Sequence, residues 1–446
     1  MTDSHFLSLG RMKYSSYKKV TNNLRSLEDY YDFVEKLLIS FDLNERQRNV
    51  LRVDVYKSLR SFVRSKLFFF SKLIFLSFLS ASLHFFFKTK CNNIGRKPFI
   101  LEQDRKAFLD LILDENFEDF DTILVFSPVT YLKILFLKLF NKKVKKQNFL
   151  NLSFLSNVGI INLLNFFVEE AWTRKNFNII TSVSKVRVKK IEHFINSIDL
   201  HYTKEISTFA DTHLFSAAIF LEAKKRPLIK TTVIQHGDIG AFHLPILAKN
   251  VKCWSQDHKQ KYKNFGFDGD FQIIENPFYP KSCMIRDFTK RKKVILYVTR
   301  HSHESEIWNF RIFANVSVNN TMEFIIKLRP DASILEYLKY YFWIKKFTNK
   351  KLKIFNPWSK KQPLLDPETL CICTSKSSVI DEAHFVGIPV AHLMFDQEIV
   401  DELNDKIYHS ALIYQSSDLK GFLTDMSQDY ESFERIRNEQ LKHVHN

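Results

Sequence analysis

The residues best suited to chemistry stand at the carboxyl ends of short apolar runs. One such run, Thr231 to Ile234, is β-branched and is followed at once by Gln-His-Gly-Asp. Open α/β sheets place their active sites at this end of their strands, and an imidazole titrates near neutral pH. His236 is therefore a candidate general base toward a hydroxyl group. Its neighbours are candidates for acceptor contacts or for shaping the loop: Gln235, Gly237 and Asp238.

Asp211 is the second candidate for this chemistry. It follows a predicted strand, Ile206 to Ala210, so its carboxylate could converge with His236 as a base or a nucleophile. The alternative is a structural role, in which Asp211 caps a helix predicted over 212–226.

A third stretch, Cys371 to Val390, reads as a strand, a hydroxyl-rich turn, a short helix and a Gly-x-Pro exit. Hydroxyl residues cap helices and can donate hydrogen bonds to a phosphate. Gly387 is expected to end the helix, and an acidic residue of its first turn could reach a ribose. The predicted donor-binding residues of this stretch are Ser375, Ser377, Ser378 and Glu382.

Two cations follow another predicted strand. The segment Glu323 to Pro330 ends in Lys-Leu-Arg-Pro, which puts Lys327 and Arg329 at its carboxyl end. A departing nucleotide carries negative charge that cations stabilise, and a guanidinium can pair with two phosphate oxygens. Both residues are therefore predicted to bind the donor.

The order of these motifs resembles that of GT-B glycosyltransferases. The Ser-Ser, acidic, Gly-x-Pro segment resembles their donor site, and the strand with Gln-His-Gly resembles enzymes of bacterial surface polysaccharide. Among these are sialyl-, Kdo- and teichoic-acid-type transferases. Two positions depart from the family pattern. Glu275 stands where a Gly commonly precedes Asn-Pro, and Arg329 stands where a His is frequent, which puts the role of that histidine in doubt.

The resemblance implies a glycosyltransferase that uses a nucleotide-activated sugar, CMP-linked in preference to UDP-linked. The implied acceptor is a surface polysaccharide or a lipid-linked glycan, and neither a cofactor nor a metal is expected. His301-Ser-His-Glu is predicted to be a polar loop, since clustering alone sets no coordination geometry. Two alternatives stay open: a CDP-alditol-dependent polyol-phosphate transferase, and a non-enzymatic protein that binds membrane surfaces or nucleic acid. No RNA-binding signature is present, so nucleic acid is not an expected partner.

Strand-like and helical runs alternate along the chain after residue 97, which predicts mostly parallel sheets. The expected class is α/β, with two Rossmann-like domains in a GT-B-like arrangement facing a cleft, and an N-terminal helical extension. The predicted domain bounds are 1–97 for the extension, 98–285 for the acceptor-side domain and 286–446 for the nucleotide-sugar-binding domain. Local predictions include an acidic helix over 101–120, a short strand at 178–182, a helix at 184–197 and a basic linker at 281–293.

Length and composition fit a packed enzyme. A chain of 446 residues with 45% hydrophobic residues can form two or three domains. The net charge of +17 suggests an anionic partner, although simple lysine enrichment explains it equally well. The five cysteines form no Cys-x-x-Cys pair and are expected to be reduced. The first residues lack the features of a signal peptide, so a cytoplasmic protein is expected, peripheral at the inner face of the cell membrane.

The most apolar segment is 67–87. As a helix, its 21 residues match the thickness of a bilayer core, but Lys72 and His84 oppose a clean span. Three placements stay open: an interfacial helix on an anionic membrane surface, a buried core helix and a membrane span.

Overall fold

The computed structural model describes most of the chain after residue 33. The described residues are 34–35, 38–39, 44–64, 66–86, 94–102, 106–113, 120–140, 148–173, 177–198, 200–237, 245–278, 291–298, 303–318, 322–328, 334–346, 352–355, 366, 368–375, 379–395 and 411–441. The chain divides into unit 1, Met1–Cys253 with Tyr262–Gln272, and unit 2, Trp254–Lys261 with Ile273–Asn446. The boundary predicted at residue 285 lies outside the described residues.

Unit 1 is built on a seven-stranded sheet of order β3-β2-β1-β4-β5-β6-β7. Its strands are β1 (Pro98–Leu101), β2 (Thr122–Val125), β3 (Phe149–Asn151), β4 (Glu205–Thr208), β5 (Lys230–Ile234), β6 (Asn250–Cys253) and β7 (Asp270–Ile273). The neighbouring pairs from β3 to β6 are parallel. β1 and β2 are buried at every position, as parallel strands covered on both faces are. The strand order reverses between β1 and β4, which is the topological switch point of unit 1.

Helices cover this sheet, and the first two of them belong to the N-terminal extension. They are α1 (Glu45–Arg64), α2 (Lys66–Phe86), α3 (Lys106–Ile112), α4 (Pro128–Phe140), α5 (Ile160–Thr173), α6 (Phe177–Ser197) and α7 (Leu214–Ala223), followed by α8 (Gln256–Asn264) at the boundary of the units. Leu51 of α1 and Phe70 of α2 belong to the same hydrophobic core as Ile100 of β1. Arg187 of α6 also pairs with Asp54 of α1 at 2.5 Å. The extension is therefore packed as part of unit 1.

Unit 2 is built on a six-stranded sheet of order β10-β9-β8-β11-β12-β13, in which all neighbouring pairs are parallel. The strands are β8 (Lys293–Tyr297), β9 (Glu323–Lys327), β10 (Leu352–Ile354), β11 (Thr369–Thr374), β12 (Val390–Leu393) and β13 (Ala411–Ile413). The helices are α9 (His303–Ser317), α10 (Ile334–Lys346), α11 (Val379–Phe385), α12 (Ser416–Gln428) and α13 (Tyr430–Leu441). The switch point lies between β8 and β11. The predicted α/β class with two Rossmann-like domains is confirmed.

Several local predictions hold and others are wrong. Gly387 ends α11 with φ +73°, a left-handed conformation that glycine adopts without strain. The helix predicted from residue 101 is wrong at its start, because Leu101 ends a strand that pairs with β2 and β4 on its two sides. The strand predicted at 178–182 is also wrong. Its β-branched run lies inside α6, whose buried positions continue at helical spacing through Val183, Val188, Ile191 and Phe194.

Residues 67–86 of the predicted segment lie in α2, which has two different faces. One face is buried in the core of unit 1 and includes Phe70 and Leu73, while Phe75 and Phe78 are exposed on the other. In the described part of the chain, no helix combines the length and the apolar character needed to cross a membrane. The core placement thus holds for one face of α2 only.

Candidate functional site

Three strands of unit 2 place polar residues in one row at the carboxyl edge of the sheet. Lys327 of β9 is in register with Tyr297 of β8, and Tyr297 is in register with Thr374 of β11. Residues in register across parallel strands project from the same face. The Thr374 hydroxyl donates to the Tyr297 carbonyl oxygen at 3.2 Å and so links the strands on both sides of the switch point. This row therefore lies where open α/β sheets bind ligands.

Lys327 is a buried cation, only 6% exposed. Its ammonium lies 4.9 Å from the centre of the Phe355 ring. Desolvation lowers the pKa of Lys327, and within the described residues no carboxylate pairs with it. A buried charge without a counter-charge is costly. An anion bound at this edge of the sheet would therefore be strongly stabilised by Lys327.

A buried amide and hydroxyl stand beside this row. Ser375 follows β11, and its Oγ accepts a hydrogen bond from the Asn309 side-chain nitrogen of α9 at 2.6 Å. Because that oxygen already accepts from Asn309, the Ser375 hydroxyl hydrogen can be donated elsewhere. The Asn309 carbonyl oxygen is buried and has no hydrogen-bond partner among the described residues. Both groups can therefore hydrogen-bond to a polar ligand.

Glu382 of α11 lies near the Tyr297 phenol. Burial raises the pKa of Tyr297, and the negative charge of Glu382 raises it further. The phenol is thus a neutral hydrogen-bonding group at ordinary pH. The remaining predicted donor-binding residues, Arg329, Ser377 and Ser378, lie outside the described residues.

Unit 1 has a different arrangement at its own switch point. Glu102 follows β1, and its carboxylate accepts hydrogen bonds from the backbone N–H groups of Phe215 and Ser216 and from the Ser216 hydroxyl, each at 3.0 Å. These amides belong to the first turn of α7, where the helix dipole favours a negative charge. Glu102 therefore occupies the position that an anionic ligand would otherwise take at this helix.

A small pocket, with room for about one water molecule, lies at the same switch point. Its lining comes from the ends of β1 and β4 and from the residues that follow them: Ile100, Leu101, Glu102, Phe108, Thr208, Phe209, Ala210 and His213. The lining combines aromatic rings with one carboxylate and one imidazole. The pocket alone is too small to hold a sugar ring, so it could form only part of an acceptor site.

His236 lies next to this pocket, directly after β5. Its Nδ1 is 2.6 Å from the carbonyl oxygen of Phe209, and its ring meets the Phe108 ring edge-on at 5.1 Å. Because a carbonyl oxygen only accepts, Nδ1 must carry the hydrogen, and the lone pair of the neutral ring is on Nε2. The half-buried imidazole is therefore held in the tautomer of a general base. Gln235 supports the loop by donating to the Gly237 carbonyl oxygen at 3.0 Å. Asp238 lies outside the described residues.

Asp211 is buried, 3% exposed, and its Oδ2 accepts the backbone N–H groups of Leu247 and Ala248 at 2.6 and 2.8 Å. Burial raises the pKa of Asp211 to about 6, against the lowering effect of these hydrogen bonds. The predicted capping of α7 by Asp211 is wrong, since Glu102 binds the first amides of that helix. Its catalytic role stays a prediction, and the anchoring of 247–248 argues against it.

Comparisons with known proteins give no family. No protein-family model matches the chain, and no curated protein matches its sequence. Among solved structures, the UDP-GlcNAc 2-epimerase from Neisseria meningitidis bound to UDP-GlcNAc is similar with a TM-score of 0.46 and 12% identity, over 78% of this chain and 97% of that chain. Anabaena HepE in complex with UDP-glucose gives 0.45 and 11%, over 78% and 94%. At these values the similarity carries no information on the substrate or reaction of this chain.

Proposed function

We propose that this protein is a glycosyltransferase in which unit 2 binds a nucleotide-activated sugar and unit 1 supplies the base for the acceptor. The observation that carries the proposal is Lys327, a buried cation without a described carboxylate partner at the carboxyl edge of a doubly wound sheet. The phosphate of a nucleotide donor supplies the missing counter-charge. The acceptor is a glycan or a lipid-linked glycan.

The chemistry of the two switch points supports this division of roles. In unit 1 the first amides of α7 are bound by the Glu102 carboxylate, so a phosphate placed there would meet a like charge. In unit 2 the corresponding edge presents a cation, a hydroxyl and a buried amide: Lys327, Ser375 and Asn309. The anionic donor therefore fits unit 2, and we place the neutral acceptor on the side of unit 1 where Glu102 lies.

His236 is the proposed base. Its Nε2 takes the proton of the acceptor hydroxyl while the acceptor oxygen forms a bond to the anomeric carbon of the donor. The bond from that carbon to the phosphate oxygen breaks, and the electron pair leaves with the nucleotide. Lys327 stabilises the negative charge that develops on the departing phosphate. In the neutral ring, the hydrogen bond from Nδ1 to the Phe209 carbonyl oxygen leaves the lone pair on Nε2 for this proton.

A panel of donors tests the proposal. Thermal unfolding is measured with CMP-, UDP-, GDP- and CDP-linked sugars and with CDP-glycerol. A ligand present at 100 times its Kd stabilises the folded protein by about 2.7 kcal/mol. We expect stabilisation by one class of nucleotide sugar, with CMP- and UDP-sugars first. That donor should then release free nucleotide only when a glycan acceptor is added.

Three results would contradict the proposal. Stabilisation by CDP-glycerol alone would indicate a polyol-phosphate transferase. Conversion of the sugar without an acceptor would indicate an epimerase or a hydrolase. Salt-dependent binding of nucleic acid, with no effect of any nucleotide sugar, would indicate a non-enzymatic protein.

A further inference from the structure

Helix α2 exposes large apolar side chains on its outer face, while two of its serines are buried on its inner face. Ser77 and Ser80 are buried, and the Ser77 hydroxyl accepts the backbone N–H of Val158 at 3.2 Å. By contrast, Phe75 is 58% exposed and Phe78 is 66% exposed. A helix on a water-facing surface normally turns its polar side outward. The outer face of α2 is thus suited to an environment less polar than water.

The neighbouring helices present the same chemistry. α2 contacts both α4 and α5 in unit 1. Phe136 is exposed on α4, and Ile161 and Leu164 are exposed on α5. We call these exposed residues of α2, α4 and α5 the apolar face. Isolated exposed apolar residues are common, but their occurrence on α2 and on two helices that contact it points to an interaction surface.

The charged residues of α2 and α4 are lysines, whereas α5 carries Glu169 and Glu170. α2 and α4 contain no acidic residue, and Lys72 and Lys133 are exposed on them. The sequence segments that follow these helices, 87–93 and 141–147, contain six lysines and no acidic residue. A second copy of this chain would bring the same positive charges against these lysines, which disfavours self-association. Anionic lipid headgroups complement both the charge and the apolar side chains.

We propose that the apolar face docks the protein onto the surface of an anionic lipid bilayer. The exposed Phe side chains enter the boundary between headgroups and acyl chains, while Lys72 and Lys133 contact the headgroups. α2 lies along the surface, because its other face is packed in the core of unit 1. This inference does not depend on the reaction that the protein catalyses.

Vesicle flotation with the full chain tests the proposal. Wild-type protein should float with vesicles of phosphatidylglycerol and phosphatidylcholine, bind pure phosphatidylcholine less, and be released as salt rises from about 0.1 M to about 1 M. Replacing Phe75, Phe78 and Phe136 with Ser should lower the partition coefficient about 10-fold per residue. The double change Lys72→Glu and Lys133→Glu should weaken binding only to the anionic vesicles.

The matched control is Phe342→Ser, since Phe342 is 62% exposed on α10 of unit 2. This variant should float like the wild type, and the melting temperature of every variant shows whether it folds. Wild-type protein that never floats, or a folded triple variant that floats normally, would overturn the proposal. A wild-type dimer that dissociates in the triple variant, without vesicle binding, would instead identify the face as a self-association surface and also overturn it.

Discussion

Replacing Asp211 with Asn should stabilise the protein at neutral pH, because the change removes a buried charge and keeps a hydrogen-bond acceptor. The carboxylate accepts two backbone N–H groups through a single oxygen, Oδ2, at 2.6 and 2.8 Å. The side-chain oxygen of Asn can accept the same two hydrogens. The loop at 247–248 should therefore remain anchored in the variant.

The size of the effect follows from the pKa. A rise in the pKa of Asp211 from 3.8 to about 6 corresponds to about 3 kcal/mol that the folded state loses when this carboxyl ionises. The folded protein holds the proton more tightly than the unfolded chain between pH 3.8 and about 6, so this residue makes stability fall as pH rises through that window. Above about pH 6 the wild type has lost the full amount of stability, about 3 kcal/mol. The variant should match the wild type near pH 4 and exceed it by about 3 kcal/mol at pH 7.

Urea unfolding of both proteins across this pH range measures the difference in the free energy of unfolding, in which all other titrating groups cancel. Asp121→Asn is the control, since the exposed Asp121 also accepts two backbone N–H groups through one oxygen, at 2.6 and 3.0 Å. Because that carboxylate is already exposed to water, its replacement should not stabilise the protein at pH 7. The reasoning would be refuted if the difference in the free energy of unfolding between Asp211→Asn and the wild type did not change with pH, or if the variant were less stable at pH 7. A stable variant that has lost turnover would make Asp211 catalytic.

Three further changes test the site and its scaffold. His236→Asn keeps an N–H group that can donate to the Phe209 carbonyl oxygen but removes Nε2. The Kd of the nucleotide sugar should therefore be unchanged, while kcat falls at least about 100-fold. Normal turnover would show that another residue is the base. In Glu102→Gln one of the two accepting oxygens becomes an NH₂ group that faces the N–H of Phe215 or of Ser216. Urea unfolding should show a loss of about 1–3 kcal/mol, and an unchanged midpoint would contradict this. Gly387→Ala forces a Cβ into a residue at φ +73°, and calorimetry should show about 1–2 kcal/mol less stability, with Gly387→Asn losing less.

The strands at the sheet centres were predictable where the sequence carries a strong local signal. Thr231 to Ile234 and Leu370 to Cys373 are short apolar runs bounded by turn residues, and both form central strands. β1 was missed because its four residues precede an acidic segment and lack a turn at their carboxyl end. Only pairing with β2 and β4 makes this segment a strand.

The site was predictable in outline but not in its contacts. The position of Lys327 at a strand end follows from the sequence. That no carboxylate among the described residues pairs with it depends on which strands lie beside β9. Glu102 and Asn309 were missed because their partners lie far away in sequence, in α7 and after β11. The partners of Asp211 are likewise distant, 36 and 37 positions further along the chain. Such pairs form only when the strand order is set.

The most direct test of the donor site is the affinity of a Lys327→Met variant for the nucleotide sugar that stabilises the wild type. Isothermal titration should show Kd raised about 10- to 150-fold, from the loss of about 1.5–3 kcal/mol of charged hydrogen bonding to phosphate. The variant should be at least as stable as the wild type, because a buried cation is replaced by an apolar chain. Lys353→Met, which removes an exposed lysine of β10 in the same sheet, should leave Kd unchanged. Equal donor affinity in the wild type and a folded Lys327→Met variant would contradict the proposed donor site.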